Sequence, residues 1–269
     1  MKRPLHQAYI QKCLDAFSDN TNVLQLTSAE YTGPLEFVQF WLDTIDQWQK
    51  KTHRKPLAVL SCTKDVQDAI LADPVRRDIV SVIDIRYWWY QADGTVYAPR
   101  AGQNLSPRQH ARLLNPKPAS FEQVVRAVRD YRSRYPDKAV LFSADSRFGW
   151  AVLLGGGSLP QLPVQTDSGL LEAVLQMEPM EWPVREGRCL ALSDGGEQSL
   201  IYVLSGSRLF VPQADGGEHI EVRRIDMNSG RIAASQVVDG GQEQELPVGE
   251  VPALFWLIRK SSSEQRFGR

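Results

Sequence analysis

A chain of 269 residues with 42% hydrophobic content is long enough to bury one large core or two smaller ones. Its 31 Lys and Arg are balanced by 32 Asp and Glu, so the basic footprint of a nucleic-acid-binding protein is missing. No apolar run reaches the roughly 18 residues of a membrane span. Cys13, Cys62 and Cys189 are odd in number and far apart, which suits buried thiols better than a disulfide framework or, with the 4 His, a zinc cluster.

Leu5, Ile10, Leu14 and Phe17 recur near helical spacing and predict a first helix, ended by the turn formers of SDNTN. NVLQLTSAE (22–30) reads as a strand, GPLEFVQFWLDTIDQWQKK (33–51) as an amphipathic helix with Pro34 near its first turn, and PLAVLSCT (56–63) as the next strand. KDVQDAILA is a short helix, DIVSVIDIRYWW a third strand, and residues 91–118 a polar loop with little periodicity. SFEQVVRAVRDYRSRYP (120–136) is a helix capped by Ser120, and KAVLFSAD (138–145) a buried strand. In FGWAVLLGGGSLPQLP (148–163) the glycines lack both phosphate-loop frames, so they read as permitting close backbone approach at a last barrel strand before SGLLEAVLQM. Alternating strands and helices argue for parallel β-α units around a buried sheet. From residue 184 short β runs separated by DGGE, SGS, ADGGE, NSG and DGG predict a small antiparallel β-sandwich over 184–260, with 261–269 a tail.

In parallel β-α architectures ligands bind at the carboxyl ends of the strands. Those ends carry Ser28, Glu30, Tyr31 and Thr32; then Ser61, Thr63, Lys64 and Asp65; then Asp84, Arg86 and the aromatic block Tyr87, Trp88, Trp89 and Tyr90; then Ser143, Asp145 and Arg147. Strand alternation places Ile83, Ile85 and Tyr87 on one face and Asp84, Arg86 and Trp88 on the other. The second face would point into the centre of a closed barrel, where Asp84 and Arg86 belong either to a site or to a buried structural pair. An indole such as Trp88 suits the C–H face of a sugar ring, whereas Tyr87 and Trp89 read as core packing. His110, between Arg108 and Arg112 in the long loop, lines a pocket mouth or is a plain hydrogen-bonder.

Taken together, HQAYIQKCLDAF, NVLQLTSAEYTGPLEFVQFWLDTI, LSCTKDVQDAILADP, VIDIRYWWYQADGTVYAP and GWAVLLGGGSLPQLP resemble the later part of an uncharacterised family of glycoside-hydrolase-like barrels from polysaccharide-degrading bacteria. That family is similar to the apiosidase-like barrels, and RLFVPQ and RRIDMNSGRI are similar to its small carboxy-terminal β-sandwich, labelled collagen-binding. The resemblance covers most of residues 5–260. A complete barrel takes about 250 residues. Residues 1–183 precede the sandwich here, so the resemblance implies the C-terminal portion of a TIM (β/α)8 barrel, a fragment lacking its N-terminal part.

NVLQLTSAE is similar to the N-V-x-x-x-x-x-N-E strand ending in which Glu is the proton donor, which implies that Glu30 is the general acid. Ala29 stands where the Asn would bind the sugar's 2-hydroxyl, and Glu30 also reads as a charge at the start of the following helix. A sugar-cleaving pair spans about 5–5.5 Å for retention or about 6.5–9.5 Å for inversion. By the same resemblance Asp145 is the nucleophile or base, with Asp84 and Asp65 in reserve. Trp88 would stack a sugar, while Arg86, Lys64, His110, Tyr31, Asp84 and Asp65 line the pocket and bind hydroxyls or an acidic substituent. The implied chemistry is hydrolysis of a glycosidic bond in an oligo- or polysaccharide, without metal or organic cofactor. The alternative is a non-catalytic carbohydrate-binding or adhesion protein on the same barrel. A longer form with a signal peptide would be secreted or periplasmic.

Overall fold

The computed structural model describes residues 3–27, 31, 33–85, 89–90, 96–97, 119–143, 145–213 and 218–260. The chain forms two compact units, residues 1–160 and 161–269.

The first unit runs α1 (Arg3–Ala16), β1 (Leu24–Leu26), α2 (Leu35–Thr52), β2 (Leu57–Leu60), α3 (Lys64–Ala72), α4 (Pro74–Ile79) and β3 (Val80–Asp84). A short antiparallel pair follows, β4 (Trp89–Tyr90) and β5 (Val96–Tyr97), then α5 (Phe121–Arg134), β6 (Ala139–Leu141), a 3-10 turn (Ser146–Phe148) and α6 (Gly149–Leu154). β1, β2, β3 and β6 form a four-stranded parallel sheet in that order, with Leu24 opposite Leu57, Leu60 opposite Ile83 and Asp84 opposite Leu141. The parallel β-α arrangement is thus present. All four strands finish at one edge of the sheet.

The helices obey their apolar spacing. On α2, Val38, Trp41, Leu42, Ile45 and Trp48 share one buried stripe, and the Trp48 indole N–H donates to Asp15 Oδ1 at 2.7 Å, tying α2 to α1. Ser120 opens α5 with a reciprocal capping box: its Oγ accepts from the Gln123 N–H while the Gln123 side chain accepts from the Ser120 N–H.

Two elements differ from the sequence expectation. The segment after α3 is a second helix, α4, begun by Asp73, whose carboxylate accepts from the Val75 N–H at 3.1 Å, with Pro74 in its first turn. The glycine run belongs to no strand. It caps α6 and packs against α5: a Cβ on Gly155 would lie 2.7 Å from Val128 Cβ, and one on Gly157 2.6 Å from Val152 Cγ1. The close approach is therefore of a turn to a helix. Ser158 N–H then returns to the sheet, donating to the Val140 carbonyl at 2.7 Å.

The second unit begins with α7 (Ser168–Ala173), followed by β7 (Glu178–Met180), β8 (Arg188–Ser193), β9 (Gln198–Ser205), β10 (Arg208–Val211), β11 (His219–Ile225), β12 (Ile232–Asp239), β13 (Gln244–Pro247) and β14 (Ala253–Lys260). Six strands make an antiparallel sheet ordered β12-β11-β14-β9-β8-β7, and β10 pairs separately with β13. Alternate residues Ile201, Val203, Val222, Phe255 and Leu257 of the sheet share a core with Leu209 and Val211 of β10 and Val248 beyond β13. The intervening Leu200, Tyr202, Leu254 and Trp256 are also buried, so the central strands read as unbroken apolar runs. No described helix is long and apolar enough to cross a membrane.

Candidate functional site

The carboxyl edge of the parallel sheet gathers polar side chains that its short strands have carried into the interior. Asp84, the last residue of β3, is 2% exposed, and Ser61, just past β2, is 1% exposed. Asp84 Oδ2 accepts from Ser61 Oγ at 2.8 Å and from Ser143 Oγ at 2.7 Å, and Oδ1 accepts from the Ser143 N–H at 3.2 Å. One carboxylate thus fastens the ends of three adjacent strands. A buried carboxyl group requires such partners, since leaving its oxygens unpaired in the interior costs stability. The alternation that sends Asp84 to this cluster buries both Ile83 and Ile85, so β3 has no wet face.

Gln67 on α3 completes the floor. It is fully buried, and its Nε2 donates to the Asp84 carbonyl at 2.6 Å and to the Leu60 carbonyl at 3.3 Å. Cys62 lies between, paired in a parallel bridge with Tyr31. Burial, with the negative charges of Asp65 and Asp84 beside it, pushes the Cys62 thiol far up, so it is an inert protonated thiol. Asp65 Oδ1 and Gln67 Oε1 are buried without a hydrogen-bond partner among the described residues. Tyr31 donates its hydroxyl to the Pro34 carbonyl at 2.8 Å and stacks on Phe37 at 5.5 Å. Burial, with lesser contributions from Cys62 and Glu36, raises its phenol above the ordinary range. Of the sequence candidates, Tyr31, Asp65 and Asp84 therefore surround Cys62.

Asp145 stands two residues beyond Ser143, at the start of the 3-10 turn. Arg147 holds it through a forked ion pair, with Nη2 2.6 Å and Nε 3.0 Å from Oδ2, and its backbone N–H adds a bond of 3.0 Å to Oδ1. Hydrogen bonds from the Arg147 side chain, then from its backbone, lower the Asp145 carboxyl below the usual range. At neutral pH it is therefore a carboxylate, able to accept a proton or attack but not to donate one.

Lys64 turns elsewhere. It pairs with Asp68 one turn along α3 and lies 5.9 Å from the Tyr131 ring centre, while the Tyr131 hydroxyl donates to Asp68 Oδ1 at 2.7 Å. That joins α3 to α5 on the helical layer. Glu30, Arg86, Trp88 and His110 lie outside the described residues, as do Tyr87 and the side chains of Trp89 and Tyr90.

Sequence reading passed over Gln67 and used Ser61 and Ser143 only as strand-end markers. A signal existed for Gln67: it falls in the buried stripe Val66, Gln67, Ile70, Leu71, where a polar residue needs partners. Cys13 and Cys189, expected as buried thiols, are only half-buried. Among the described residues no group of three His, Cys, Asp or Glu could hold a metal ion.

This architecture, a parallel β-α unit with polar strand ends and an antiparallel β unit, is similar to the fold of a solved structure. The chain aligns with a structure described as a glycoside hydrolase at a TM-score of 0.57 and 11% identity, over 98% of this chain and 70% of that one. It also aligns with α-galactosidase I from Mortierella vinacea (TM-score 0.45, 10% identity, 95% of this chain and 72% of that one). A monomeric β-xylosidase from Caulobacter crescentus CB15 gives a TM-score of 0.45 at 9% identity, over 97% of this chain and 75% of that one. The protein belongs to the family described as Domain of unknown function (DUF6298), whose model matches residues 1–177. No curated protein matches the sequence.

Proposed function

We propose that the protein is a glycoside hydrolase acting on an oligo- or polysaccharide, with its site at the carboxyl edge of the parallel sheet. The observation that carries this reading is the Asp145 carboxylate, kept charged by Arg147 on a segment that Ser143 ties to the buried Asp84. Asp145 acts as nucleophile or base, and Glu30 as the proton donor. Asp84 positions the strand ends, and Asp65 and Tyr31 form the wall beside it. Arg86, His110 and Trp88 complete the sugar contacts in this proposal, while Lys64, paired with Asp68, is left out of it.

The finer architecture belongs to the same proposal. Residues 1–183 are read as part of a (β/α)8 barrel, residues 184–260 as an accessory β-sandwich, and residues 261–269 as a tail. The family likeness to apiosidase-like barrels with a domain labelled collagen-binding rests on the sequence segments alone.

The rival, a sugar-binding protein without catalysis, draws support from the Arg147 fork, which occupies much of the Asp145 carboxylate. The two are separated by assaying the chain and its Asp145→Asn and Glu30→Gln variants against a panel of aryl glycosides and plant oligosaccharides. Hydrolysis that falls about 10²–10⁴-fold in each variant, with circular dichroism unchanged, supports the enzyme. Binding without turnover in every form selects the rival.

A further inference from the structure

The second unit carries a pocket that the hydrolase reading does not use. It has a volume of about 310 Å³ and opens at one end of the six-stranded sheet, where the β8–β9 turn meets the last residues of β14. Ile220 and Leu257 floor it from the sheet, and Met180, Trp182, Pro183 and Pro212 wall it. The Trp182 indole N–H donates to the Phe210 carbonyl at 3.0 Å, which fixes the plane of the ring while the ring itself packs against the core. Two opposite charges share the lining, Glu197 in the turn and Arg259 on β14. Their backbones bond to each other at 2.8 Å, yet among the described residues neither side chain has a hydrogen-bond or ion-pair partner. Ser193 and Ser199 are already used, since Ser199 Oγ donates to Ser193 Oγ at 3.0 Å and Ser193 Oγ to the Gln198 carbonyl at 3.0 Å.

We infer that this pocket is a saccharide-binding subsite for a neutral mono- or disaccharide unit. A rigid indole with apolar neighbours accepts the C–H face of a sugar ring, and an unpaired guanidinium beside an unpaired carboxylate offers N–H donors and oxygen acceptors to adjacent hydroxyls. The volume lies at the small end of ligand pockets, about 300–1,000 Å³, which limits the occupant to one or two rings. Glu197 disfavours a uronate or sulfated sugar by like-charge repulsion. The inference stands on the second unit's own residues and does not require that Asp145 catalyse anything.

The test is a printed array of neutral and uronate-bearing oligosaccharides probed with the full chain, followed by titration calorimetry on the neutral glycans that score. Loss of a hydrogen bond to a charged group should weaken binding about tenfold in Arg259→Gln and in Glu197→Gln, with a larger loss in Trp182→Ala. Trp182 packs on the core, so the two rim variants, checked by circular dichroism, keep the test decisive if Trp182→Ala fails to fold. Binding unchanged by either rim variant but lost in Asp145→Asn would place the sugar at the parallel sheet, overturning this inference while leaving the proposed hydrolase intact. No binding to any neutral glycan, or preference for uronates, also overturns it.

Discussion

The two units handle a carboxylate in opposite ways. In the parallel unit, strands of three to five residues end inside the protein, and Asp84 is satisfied there by two hydroxyls and a backbone amide. In the antiparallel unit, strands of up to eight residues carry charge on their faces, and Glu221 is satisfied by Arg223 at 2.7 Å and Lys260 at 2.6 Å, with the Ser235 hydroxyl at 3.1 Å. Arg223 in turn lies 4.7 Å from the Trp256 ring centre, so that face is covered by stacked cation and indole. The contrast teaches where chemistry can be housed. A parallel sheet needs crossovers that cover both faces, so its polar groups collect at the strand ends, whereas an antiparallel sheet can distribute them along a face.

The largest expected effect breaks the first arrangement. Asp84→Ala strands two hydroxyls and one amide and leaves a void, at a cost of about 4 kcal/mol. Denaturant unfolding followed by hydrogen exchange should show the loss in the β2, β3 and β6 amides, with the β9 and β14 amides unaffected. Equal loss in both units would mean that they do not behave as separate polar economies.

The second prediction concerns acid. Glu221 is brought down to about 2, chiefly by the Arg223 hydrogen bond, with Lys260 and Ser235 adding to it, from an ordinary value of 4.5. A depressed carboxyl contributes stability that is complete above its unfolded value and is lost as pH falls through the folded one. The antiparallel unit should therefore lose up to about 3 kcal/mol between about pH 5 and 2, and Glu221→Gln should flatten that slope. A slope identical in parent and variant would remove Glu221 from the account. The smallest effect is local to the first unit: Ser120→Ala removes half of the capping box of α5 and should cost about 1 kcal/mol, read as a small shift in urea midpoint with no change in the second unit.

Much of this was legible in the chain because local periodicity and turn chemistry act over a few residues. The helix over KDVQDAILA and the Ser120 cap needed no tertiary information. The break at Asp73 and Pro74 was also written locally, in a cap and a proline that mark a helix start. The glycine run was misplaced because a glycine states only that something comes close, and what comes close to Gly155 is Val128, 27 residues earlier in sequence.

The site divides the same way. Strand alternation marked Asp84, and position after a strand marked Asp65, Tyr31 and Asp145. Pattern cannot show that Asp84 spends its oxygens on Ser61 and Ser143, nor that Lys64 leaves the strand ends for Asp68. Those pairings join residues 23 and 59 positions apart in one case, and in the other are settled by which helix packs on α3. The sequence by itself determined most of the elements, their polarity and the class of sheet each unit would build, since these follow from side-chain spacing and backbone preference. Only the tertiary structure decided which buried polar groups are satisfied, because a hydrogen bond inside the protein is defined by partners brought together from distant turns of the chain.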